Sequence, residues 1–137
     1  MSKATLPDII NNFETIDTHD ANILGINLYN NSCVINIKLI SNQLIELHFH
    51  EVAKIVCDNF REGNIILSIE LIKTENEIRK LLSSLFIKPP VQPGKYFNFF
   101  EKTVLEITSG QRFLIKIDPS YGCDCIILCN SITCKIV

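Results

Sequence analysis

The chain has 137 residues, 47% of them hydrophobic and 20% charged, which is the balance of a folded domain rather than a disordered segment. One domain spanning residues 1–137 is long enough to bury a core without disulfide or metal staples. A formal net charge of -2 supplies no general field for nucleic acid, and no run of Lys and Arg supplies a local one.

At the N-terminus, Thr5 is placed to cap a helix with Pro7 in its first turn, and Ile9, Ile10 and Phe13 form a small apolar stripe. A short N-terminal helix is expected there. Pro7 and Asp8 also interrupt what would have to be the apolar stretch of a secretion signal. Later apolar runs are broken by Asn, Glu, Lys or His before they reach bilayer-spanning length. These features predict a cytoplasmic protein that does not engage a membrane, and hence reduced cysteines.

Residues 22–49 carry the most regular pattern. Leu24, Ile26 and Leu28 stand at alternate positions, as do Cys33, Ile35, Ile37 and Leu39, and then Ile45, Leu47 and Phe49. Such alternation puts every second side chain on one face of a half-buried strand. Asn30-Asn31 and Ser41-Asn42, which tolerate left-handed backbone, close the turns between the runs. An up-down-up antiparallel meander follows.

Residues 50–57 fit a short strand or a helical turn, and the segment to Asn64 reads as a loop ending in a Gly63-Asn64 turn. Residues 65–73 then form a strand with Ile65, Leu67, Ile69 and Leu71 on its buried face. Thr74 and Glu77 have the spacing of a capping box. Behind it, Ile78, Leu81, Leu82, Leu85 and Phe86 recur at helical intervals, so an amphipathic helix over about residues 75–87 is predicted, stopped by Pro89 and Pro90. The stretch 89–100 reads as irregular and ends in the aromatic cluster Tyr96, Phe97, Phe99 and Phe100. Short strands over 102–108, 111–117, 123–129 and 132–137, with turns at Ser109-Gly110 and 118–122, complete the chain. The fold class is therefore α+β: a mainly antiparallel curved sheet or two-layer sandwich with one amphipathic helix and the short N-terminal one.

Two groups of residues invite a chemical reading. Glu46, His48 and His50 share one strand face, where a His-x-His pair with a carboxylate can hold zinc or iron. A sheet with one wet face produces the same pattern, and no third ligand stands at a telling distance. A small metal-binding domain or metal-dependent enzyme built on this pair is the alternative reading. Cys123, Cys125, Cys129 and Cys134 are clustered but lack the Cys-x2-Cys pairs of zinc ribbons, and three of them share a strand face with Ile127. They read as small buried hydrophobes, and no cofactor is expected. The chain has no Gly-x-Ser-x-Gly elbow, no glycine-rich phosphate loop and no His-Glu-x2-His helix, so the expectation is a protein that is not an enzyme.

His19-Asp20-Ala21 ahead of an apolar alternating strand, and Phe49 to Val52 followed by Phe60-Arg61-Glu62-Gly63-Asn64-Ile65-Ile66-Leu67, resemble the layout of small bacterial immunity proteins of toxin–immunity systems. The resemblance covers the first half of the chain. It implies a one-domain, non-enzymatic binder that neutralises a cognate toxin by occluding its active site. Aromatic side chains dominate interface hot spots, so Tyr96, Phe97 and Phe99 are candidate partner contacts, together with His19, Asp20, Glu46, His48 and His50. The final strand, 132–137, is a candidate edge through which two copies can pair as a homodimer.

Overall fold

The computed structural model describes residues 16–86 and 93–137. The expected N-terminal helix, and the prolines expected to stop the amphipathic helix, lie outside these residues.

The meander forms as its alternation requires: β1 (Asn22–Tyr29), β2 (Ser32–Lys38) and β3 (Leu44–His50) pair antiparallel in sequence order. Asn30 and Asn42 take positive φ values of 53° and 72°, the left-handed geometry that asparagine tolerates in tight turns. Five further strands follow: β4 (Lys54–Asp58), β5 (Ile65–Leu71), β6 (Phe113–Tyr121), β7 (Asp124–Cys129) and β8 (Ser131–Ile136). All join one eight-stranded sheet in the order β4-β7-β6-β5-β1-β2-β3-β8.

The sheet is bent over on itself. β3 continues into β4 and β7 into β8, and the two continuous lengths pair along both halves, β3 with β8 and β4 with β7. At the corner Asn130 N–H donates to His50 O at 3.0 Å and Ala53 N–H to Leu128 O at 2.8 Å, while Glu51 takes a φ of 51°. This bent ribbon sets the inner faces of the two halves against each other. Cys33, Ile35 and Phe49 from one half and Ile115, Cys125 and Ile127 from the other therefore belong to one buried cluster.

Two helices cover the outer face of β4, β7 and β6. The first, α1 (Glu75–Leu85), starts where predicted, but Thr74 makes no side-chain capping bond, so the capping box is not formed; Glu75 and Glu77 still favour the positive helix start. Ile78, Leu82 and Leu85 are buried. The second, α2 (Pro93–Thr108), replaces the irregular tail and the strand expected over 102–108. Phe100, Val104 and Ile107 stand at i, i+4 and i+7 and pack with α1 over Leu114 and Leu128, so helical periodicity governs that segment. Arg79 of α1 grips the carboxylate of Glu101 of α2 through both guanidinium nitrogens, at 2.6 and 2.8 Å. Segment 118–121, expected as a turn, extends β6 instead.

Two bulges change which side chains are buried. The β1–β2 register shifts between Ile23 and Gly25, and the β5–β6 register between Ile66 and Ser68. A bulge reverses the inward–outward alternation. Ile23 and Ile66 therefore enter the core, while Leu24 and Leu67, expected on the buried faces, are exposed.

Candidate functional site

The bent sheet leaves a slot between β1 and β4. β1 pairs with β5 only at Asn22, so among the described residues the remainder of that edge carries no strand partner, and β4 is the terminal strand at its own end of the sheet. One end of the slot is closed by Val52 N–H donating to Asn31 O at 2.7 Å. The other is closed by Ile23 N–H donating to Asn64 O at 2.8 Å and by the loop that carries Phe60. Between them lies a cleft of about 500 Å³ lined by Leu24, Gly25, Ile26, Leu28, Ile55, Cys57 and Phe60.

The lining residues are apolar because of register. Ile26 and Leu28 stand opposite Ile35 and Cys33, and Ile55 and Cys57 opposite Ile127 and Cys125, so all four share the inward side of the sheet. Across the slot, however, no strand among the described residues meets them. Leu24 is 58% exposed, Leu28 61% and Phe60 49%. Large apolar side chains exposed together in one concave patch, rather than scattered singly, have the character of a binding groove. The strand edges on either side carry backbone donors and acceptors, the arrangement that accepts an added strand.

Buried Asn64 holds the Phe60 loop in place. Its Oδ1 accepts from Arg61 N–H and from Cys123 N–H, both at 2.9 Å, and its Nδ2 donates to Arg61 O at 2.7 Å. Gly122, with a φ of 86°, lies so close that an added Cβ would sit 2.4 Å from Asn64 Oδ1 and 2.8 Å from Gly63 O. Only glycine leaves room for this hub. Arg61 also lies over the ring of Tyr121, 5.9 Å from its centroid, and the Tyr121 hydroxyl donates to Glu62 at 3.3 Å.

The residues singled out in the sequence occupy three other places. Glu46, His48 and His50 share the outer, solvent side of β3, where His48 Nε2 bonds Glu46 Oε1 at 3.0 Å and His50 Nε2 lies 2.8 Å from Thr133 Oγ1. The two imidazoles stack with centroids 6.3 Å apart. Among the described residues no group of three or more His, Cys, Asp or Glu side chains is placed to hold a metal ion. His19 and Asp20 are exposed ahead of β1 and paired at 3.1 Å; Asp20, with a φ of 64°, turns the chain into the strand and donates its N–H to Ile66 O. Phe97 and Phe99 are exposed on α2, Phe99 meeting Phe86 edge-on at 5.1 Å, and the side chain of Tyr96 lies outside the described part.

The slot itself escaped the sequence reading. Ile26 and Leu28 form an unremarkable buried face until the early departure of β5 from β1 uncovers them, and that departure is a long-range event. The cysteines, by contrast, lie where their alternation put them: Cys123, Cys125 and Cys129 are buried with Ile127, and Cys134 packs partly against the same core.

Comparison with family models, with curated proteins and with solved structures yields no match to this chain.

Proposed function

We propose that this chain is a non-enzymatic protein-binding module that takes an extended segment of its partner into the slot between β1 and β4, and that the partner is a bacterial toxin whose active site is thereby occluded. The observation that carries the binding reading is the pair of strand edges, unpartnered among the described residues, flanking an apolar floor, with Leu24 and Leu28 each more than half exposed. An added strand would bond its backbone to those edges and set alternate side chains against Leu28, Ile55 and Phe60, which is the general logic of strand addition. The immunity assignment rests in addition on the resemblance of His19-Asp20-Ala21 and of the segment from Phe60 to Leu67.

The test is co-expression with the product of the gene directly upstream. A toxin partner predicts growth arrest relieved by this chain and a one-to-one complex on purification, both lost in the double variant Leu28→Glu, Ile55→Glu. Relief of toxicity by that variant as well as by wild type removes the slot from the reading. A neighbouring product that is neither toxic nor bound removes the immunity assignment.

A further inference from the structure

Two thiols meet behind the wall of the slot. Cys57 and Cys125 are register partners, directly opposite on β4 and β7, with their sulfurs 2.9 Å apart. Opposed residues of an antiparallel pair have Cα atoms about 4.5–5.5 Å apart, inside the window a disulfide requires, so the bond can close without moving either strand. Cys123, two residues before Cys125, belongs to the same buried cluster. Cys125 and Cys123 are buried, whereas Cys57 is half-buried and lines the cleft, open to small solutes. The other thiols differ in this respect: Cys33 and Cys129 are buried and line no part of the cleft, and Cys134 sits on β8.

We infer that Cys57 and Cys125 form an oxidisable dithiol that hydrogen peroxide, entering through the slot, converts to an intramolecular disulfide. As the Cys57 sulfur attacks one peroxide oxygen, the O–O bond breaks, and the departing hydroxide takes the thiol proton and leaves as water. Cys57 becomes a sulfenic acid. The Cys125 sulfur then attacks the Cys57 sulfur and a second water departs. Two thiols and one peroxide give one disulfide and two waters, with the peroxide as the two-electron oxidant. This chemistry is that of the free chain, whose slot is open, and so does not depend on which partner the slot takes.

The test treats the folded, full-length chain with one equivalent of hydrogen peroxide, blocks free thiols by alkylation and maps tryptic peptides. Cleavage after Lys54, Arg61, Lys116 and Lys135 separates Cys57 from Cys123, Cys125, Cys129 and Cys134. The expected result is loss of two of the six thiols, a cross-link between peptides 55–61 and 117–135 localised to Cys125 by fragmentation, and full recovery with dithiothreitol. Cys134→Ser should behave as wild type, and Cys57→Ser should lose no thiol pair. A wild-type cross-link made through another cysteine, or retention of all six thiols by the treated protein, overturns the inference. Because the map is read on wild type, it holds even if Cys57→Ser fails to fold.

Discussion

Replacing Asn64 by alanine tests whether one buried amide holds the slot together. The substitution removes three hydrogen bonds: those from Cys123 N–H and Arg61 N–H to Oδ1, and that from Nδ2 to Arg61 O. The Cys123 bond is buried, and stranding a buried donor costs about 1–3 kcal/mol. The two bonds to Arg61 are partly open to water, which replaces some of their value, so they add about 0.5–1 kcal/mol together. The expected loss is about 1.5–4 kcal/mol, a large share of the 5–15 kcal/mol that holds a typical domain folded. Urea unfolding followed by circular dichroism reads it as a lower midpoint at unchanged slope. The loss should come with faster amide exchange over residues 59–64, because the same bonds tie down the loop bearing Phe60. A change below about 0.5 kcal/mol, the range of ordinary surface substitutions, would refute the view that Asn64 is the tether.

Gly122→Ala attacks the same hub from the other side: the left-handed backbone alone costs about 1–2 kcal/mol, and the added Cβ would also have to displace Asn64 Oδ1, so a loss of at least about 2 kcal/mol is expected by the same urea assay. For Glu101→Gln the prediction concerns pH. Its bonds to Arg79 hold the Glu101 carboxyl below the ordinary 4.5, so its contribution is complete above that value and fades as pH falls through the lowered, folded-state value. Thermal melts should accordingly show the variant less stable than wild type at pH 7 and the difference shrinking at pH 3; an equal difference at both would point to packing instead. Leu28→Ala, at an exposed position, should leave stability within about 0.5 kcal/mol of wild type. In a complex that buries this side chain it should cost about 1.5–2 kcal/mol, a rise in Kd of about 10- to 30-fold by titration calorimetry.

Local chemistry was legible in the sequence wherever the structure depends on neighbours in the chain. Asn30 and Asn42 close the turns that their tolerance of positive φ allows, and Ile78, Leu82 and Leu85 fall on the buried face of α1 as their spacing demands. The segment 102–108 was legible only in part. Thr103, Val104, Ile107 and Thr108 are β-branched and favour a strand by propensity, but packing of Phe100, Val104 and Ile107 against α1 outweighs that preference. Leu24 and Leu67 were misplaced for a different reason. A bulge inserts one residue and reverses the alternation, and nothing in the composition of either strand announces it. The slot depends on which strands meet across a bent sheet, so its lining looked like ordinary core.

The central claim, that the unpaired edges of β1 and β4 receive a partner's strand, is tested most directly by amide hydrogen exchange on the complex with the product of the upstream gene. Slowed exchange at residues 24–28 and 54–58, with the outer face of β3 and the exposed part of α2 unchanged, is the predicted result. Protection confined to the surface around Phe97 and Phe99, or to that around His48, with both slot edges exchanging as fast as in the free protein, would contradict it.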